Sequence, residues 1–129
     1  MNVITKNNLP EDFYKFINNN TLIEIRCGNN RENFTKIWIV EINNRVFSRS
    51  WNKNAGGWMN CFLTNESGEI KYGERILEVK AQKIEKTDAI NTAISNAYLE
   101  KYTQEHNVEY AKGISQPEYF DYTIEFVAI

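Results

Sequence analysis

Histidine is almost missing from this sequence. His106 is the single copy in 129 residues, so any Ser-His or Cys-His nucleophilic chemistry would have to run through it. It stands at the polar end of a helical pattern, where an imidazolium commonly serves the helix dipole, and no GxSxG nucleophile elbow accompanies it. Cysteine is equally scarce. Cys27 and Cys61 lie far apart, with neither CxxC spacing nor a histidine cluster, which signals no zinc site and no redox pair; two buried thiols in a reducing compartment are expected. Carboxylates are dispersed without ligand spacing, so no metal is expected, and neither GxGxxG nor GxxxxGK[ST] is present to cradle a phosphate.

Long apolar runs are lacking too. No stretch approaches the ~20 residues that span a bilayer, and MNVITKNNLPED lacks the roughly 7–15-residue apolar core of a secretory signal. A cytoplasmic location without a membrane partner is the expectation. The 15 Lys and Arg against 17 Asp and Glu leave a net charge of −2, with the signs interspersed. The basic block of a general nucleic-acid or anionic-membrane binder is therefore absent. Nothing repeats at a fixed period.

What is present suits one domain over residues 1–129, long enough to hold a real core. LPEDFYKFI predicts a helix, with Pro10 near its first position, Glu11 and Asp12 in its first turn and Phe13, Phe16 and Ile17 on one face. It ends at Asn18-Asn19-Asn20. TLIEIRC then alternates as a half-buried strand, and CGNNREN is a loop.

The stretch KIWIVEINNRVFSRSW reads as a hairpin closed by Asn43-Asn44, a pair that tolerates positive φ. A two-residue turn sets Ile42 opposite Arg45, Val40 opposite Phe47, Trp38 opposite Arg49 and, on the other face, Ile39 opposite Ser48. Both faces are largely apolar, so both need cover. One can line a barrel interior; the other, with Trp38, Phe47 and Arg49, faces a helix, a partner subunit or a ligand.

NKNAGG makes a second turn into WMNCFL, and NESGEIKYGERILEVKAQKI holds two more strand-like segments broken by Gly68 and Gly73. Short strands linked by tight turns suggest an antiparallel barrel. Thr87 or Asp88 caps a helix, DAINTAISNAYLEKY, with Ile90, Ala93, Ile94, Ala97 and Tyr98 at helical spacing. After a polar stretch containing Gly113 and Pro117, YFDYTIEFVAI is a last strand, and the class is α+β.

The chemistry-bearing cluster is RSW. In a functional reading, Arg49 and Ser50 supply charged and hydroxyl donors to an anionic group, while Trp38, Trp51 or Trp58 offers flat surface to a planar ring. In a structural reading, Arg49 lies across Trp38 as a cation–π pair and the other tryptophans fill the core. Arg31, Thr35 and Lys53 flank the same place and are open to either role.

IWIV, a hairpin, VFSRSW, GGW, IKYG, then AYLEKY before a C-terminal TIEF strand together resemble the uncharacterised bacterial family catalogued as domain of unknown function 2255. The resemblance covers nearly the whole chain, from about Leu22 onward. That family is similar in turn to split β-barrel proteins that bind flavin mononucleotide (FMN) or deazaflavin, including the pyridoxamine-phosphate oxidase type. The resemblance implies a small antiparallel split β-barrel with two or three flanking helices, a homodimer, and a ligand groove at the dimer interface. Arg49 and Ser50 stand at the family's RS pair after the second barrel strand, and Trp58 at its tryptophan after the glycine turn. Tyr98 and Tyr102 of the AYxxKY pattern fit packing, and Lys101 stays open. The sequence departs from the flavin binders in lacking their basic-residue-rich strand pairs or Gly-Arg-rich segment.

Three function classes follow. One is a flavin- or deazaflavin-dependent oxidoreductase, which requires no acid or base of the chain because the cofactor ring carries the chemistry. Another is a non-enzymatic dimeric module for a small anionic planar ligand or for interaction. A single-stranded nucleic-acid binder using aromatic stacking comes last, because the acidic balance opposes it.

Overall fold

The computed structural model describes residues 9–27, 34–51, 57–65 and 67–129. Helix α1 spans Glu11–Asn19 and buries Phe13 and Ile17. The asparagines at its end fold back on it: the side-chain amides of Asn19 and Asn20 donate to the Lys15 and Phe16 carbonyls at 2.7 and 2.9 Å, the second an acceptor that the helix end leaves open.

Strand β1 is Ile23–Arg26, β2 Thr35–Ile37, β3 Val40–Ile42 and β4 Arg45–Arg49. Helix α2 spans Trp58–Asn65, followed by β5 (Gly68–Tyr72) and β6 (Arg75–Lys83). Helices α3 (Ile90–Lys101) and α4 (Val108–Ile114) and a 3-10 helix (Pro117–Tyr122) precede β7 (Thr123–Ala128). The fold is α+β.

The seven strands of the described residues form one antiparallel sheet in the order β2-β1-β5-β6-β7-β4-β3. The strands at its two ends, β2 and β3, are consecutive in sequence and separated only by Trp38 and Ile39. One segment therefore belongs to both edges. That connection curls the sheet into a half-barrel.

The β3–β4 hairpin is closed as its sequence predicts, by Asn43 and Asn44 at φ 49° and 67°, the mirror-image turn that matches strand twist. Val40 pairs with Phe47 and Ile42 with Arg45. The ladder then stops, because the chain leaves β4 at Ile39 to reach the opposite edge; Trp38 and Ile39 do not continue the expected pairing with Arg49 and Ser48. Both hairpin faces are covered. Val46, Ile37 and Ile39 join the core inside the curl with Phe13, Ile70, Phe62 and Phe126. Val40 and Phe47 pack outward against Ile94, Tyr98 and Tyr102 of α3 and its C-cap and Ala111 and Ile114 of α4.

Three expectations are corrected. WMNCFL is helix α2, not an extended segment: Met59 and Phe62 are buried and Leu63 packs beside them, a helical face that closes over the inner core. The polar stretch after α3 folds as α4 and the start of the 3-10 helix, which also takes Tyr119–Tyr122 from the expected last strand, so among the described residues five helices flank the sheet where two or three were expected. The cysteines are not free thiols. Cys27 and Cys61 form a disulfide, with Cα atoms 6.1 Å apart, tying α2 to the end of β1. Among the described residues no helix is long and apolar enough to cross a membrane.

Candidate ligand site

Where β2 departs from the β3–β4 hairpin, the two sheet edges diverge around a cavity of about 320 Å³. The size falls at the lower end of small-molecule sites, roughly 300–1,000 Å³. Trp38, Arg49, Ser50, Trp51 and Trp58 all line it. The fold thus gathers the five expected ligand residues, with Thr35 beside them. Arg31 and Lys53 lie outside the described residues.

Each aromatic wall is held differently. Trp38 stacks on Tyr102 at 3.8 Å between ring centroids, 7° from parallel, and its carbonyl accepts the Ser48 hydroxyl at 2.7 Å. Trp58, at the start of α2, meets Phe126 and Phe62 of the inner core. Trp51 follows β4 and stacks on Tyr119, centroids 5.5 Å apart.

Arg49 is buried at 3% exposure, and its five N–H groups are committed to the protein. Nε donates to Thr123 Oγ1 at 2.9 Å, one terminal nitrogen to Ser95 Oγ and the Ile114 carbonyl at 2.8 and 3.0 Å, and the other to the Asn91 carbonyl and Oδ1 at 3.0 and 3.3 Å. The guanidinium therefore staples β4 and β7 to α3 and the C-terminus of α4. Its ring neighbours are Phe120 at 5.0 Å and Tyr98 at 5.9 Å, in place of the Trp38 pairing considered from sequence. None of its acceptors is a carboxylate, and burial lowers its pKa to about 10.

Ser50 is the freer member of the pair. Its amide donates to the Tyr122 carbonyl at 3.0 Å, but its hydroxyl has no hydrogen-bond partner among the described residues. Lys36 and Thr35 likewise line the cavity without a described side-chain partner. The described lining carries two cationic residues, Lys36 and Arg49, and no carboxylate.

The AYLEKY pattern proves to be the scaffold of this site. Tyr98 Oη accepts the Arg49 amide at 2.9 Å, Tyr102 Oη accepts the Ile39 amide at 3.0 Å, and Lys101 Nζ donates to the Ile39 carbonyl at 2.7 Å. These three side chains bind backbone groups that the broken ladder leaves unpaired, which is why buried polar tips sit here. Burial lowers the Lys101 pKa to about 8 and pushes Tyr98 up to about 12.

Sequence reasoning missed Leu22, Lys36, Ile37, Tyr110 and Ile114 as lining residues. Tyr110 and Ile114 come from α4, whose apolar positions lie within a stretch that is polar by composition. Their spacing of four was the available signal.

The family model described as an uncharacterized protein conserved in bacteria (DUF2255) matches residues 17–126. The chain belongs to this family. The DUF2255 span contains every residue lining the cavity. Among solved structures, this DUF2255 chain is similar to the crystal structure of the conserved hypothetical protein Rv2991 from Mycobacterium tuberculosis. The TM-score is 0.60 at 11% identity, covering 100% of this chain and 85% of the other. At that identity the likeness is one of fold. No curated protein matches the sequence.

Proposed function

We propose that the cavity beside Trp38 and Trp51 binds a planar, anionic small molecule, and that the chain is a split β-barrel homodimer using an FMN- or deazaflavin-type cofactor in a redox reaction. One observation carries the ligand class: among the described residues the lining combines three tryptophans, the Ser50 and Thr35 hydroxyls and two cations, without a carboxylate. Aromatic surface suits a planar ring, and donors without an opposing acid suit an anion. The cofactor and the dimer rest on the family resemblance. When bound, such a cofactor supplies the hydride transfer; the chain orients it and excludes water.

Purified protein carrying a flavin would be yellow. Titration with FMN or a reduced deazaflavin should change ligand fluorescence and raise the melting temperature, as binding to the native state requires. Colourless protein that leaves both probes and the melting temperature unchanged ends the cofactor reading. Sedimentation at the monomer mass of 15.1 kDa ends the homodimer.

A non-enzymatic module is favoured by a different observation. The guanidinium that would grip a phosphate is already saturated by protein acceptors, leaving Lys36, Ser50 and Thr35 for the anion. Under this reading the protein binds a planar anion tightly but shows no turnover of it with a reductant.

A further inference from the structure

Trp51 is 44% exposed and Tyr110 55% exposed, both at the edge of the cavity. An exposed tryptophan alone needs no explanation. This one is pinned. Tyr119 covers one face of the indole, 13° from parallel, and its hydroxyl donates to the Trp51 carbonyl at 3.0 Å. Tyr110 meets the indole edge-on at 5.5 Å and 72°.

Gly113 completes the seat. It lies inside α4, where glycine is a poorer helix former than alanine. Its lack of a side chain has a local consequence: a Cβ there would stand 3.0 Å from Trp51 Cη2 and 3.2 Å from Cζ3. The glycine lets the six-membered ring edge of the indole approach the helix closely. An aromatic side chain already fixed in this way loses little freedom when a second ring stacks on it, which is how preorganisation favours binding.

We infer that Trp51 is a preset stacking platform for the planar part of the ligand, and that Gly113 is the residue that positions it. The inference rests on reading the cavity as a planar-anion site, and it names which of the three tryptophans makes the ring contact and what holds it there. Trp38 and Trp58 are committed to Tyr102 and to the inner core, whereas the surface of Trp51 left by Tyr119 and Gly113 borders the cavity.

The test uses the full chain with two probes, FMN and lumichrome, the latter a flavin-type ring without ribityl phosphate. Trp51→Ala should raise both dissociation constants by roughly 5–150-fold, the range for losing one stacked base-sized ring, and Trp51→Phe by less. Gly113→Ala should weaken both probes while the melting temperature holds or rises, because alanine favours the helix even as it displaces the indole. Unchanged FMN affinity in Trp51→Ala and Gly113→Ala overturns the platform and leaves the ligand class standing. Lumichrome binding that depends on Trp51 without FMN binding keeps the platform and removes the anionic cofactor. Melting temperature and affinity falling together in Gly113→Ala overturn its positioning role, and wild-type protein that binds neither probe overturns both proposals.

Discussion

Tyr102 and Ile39 meet where the chain passes from one edge of the sheet to the other: the Ile39 amide donates to the phenol oxygen at 3.0 Å, 63 residues away in sequence. The phenol in turn donates to the Thr21 carbonyl, and Lys101 beside it takes the Ile39 carbonyl. A side chain of the α3 C-cap thus replaces the strand partner that Ile39 has left.

Tyr102→Phe keeps the stack on Trp38 and removes only this clasp. A buried amide left without a partner costs about 1–3 kcal/mol. Urea unfolding should show a lowered midpoint with an unchanged slope. A midpoint equal to wild type would mean that water or a shifted backbone satisfies Ile39.

Arg49→Ala leaves the Asn91, Ile114 and Ser95 acceptors facing a void, and a loss on the order of 3 kcal/mol or more is expected from breaking a buried charged network. Arg49→Lys should recover little, because one ammonium cannot reproduce the planar five-donor fork. FMN affinity and melting temperature measured together separate the roles. Near-native stability with abolished binding would return the guanidinium to the ligand.

Lys101 sets a pH dependence. Its pKa is about 8 in the fold against 10.5 for the free side chain, chiefly through burial and against the opposing attraction of Glu41. Between these values the unfolded chain holds a proton that the native state has released, so stability rises with pH. The clean window is pH 8 to 10, since above it the unfolded tyrosines ionise before the buried Tyr98 and Tyr102, which lowers stability, while the depressed pKa of Arg49 acts in the opposite direction. Unfolding free energies across that window should climb in wild type and flatten in Lys101→Met. A climb that survives in Lys101→Met assigns it elsewhere.

The Cys27–Cys61 disulfide closes a loop of 34 residues in sequence separation, which in the chain-entropy picture is worth ~3–4 kcal/mol. Dithiothreitol should lower the unfolding midpoint accordingly, and Cys61→Ser should remove the sensitivity. Thiol titration of the denatured, unreduced protein should find none; two titrating thiols would show the bond unformed.

Local rules were legible in the sequence. Asn43-Asn44 specified its turn because both residues accept positive φ, and period-two and period-four spacing marked the strands, α1 and α3. Two apolar hairpin faces implied two covers, and α3 with α4 supplies the outer one. Residue chemistry near a strand end marked Arg49, Ser50 and the three tryptophans, and the resemblance then set Arg49, Ser50 and Trp58 in a family pattern.

Tertiary structure decided the rest, because those outcomes depend on distance in space. WMNCFL is a short apolar run that fits a buried helix or strand equally, and only the open side of the curled sheet selects the helix. Disulfide formation requires Cα atoms within reach, which no spacing of Cys27 and Cys61 declares. Arg49 illustrates the division. Its place at the end of a strand beside the tryptophans was readable, but its acceptors come from 42 to 74 residues away, and only their convergence turns an apparent ligand donor into the staple beneath the cavity.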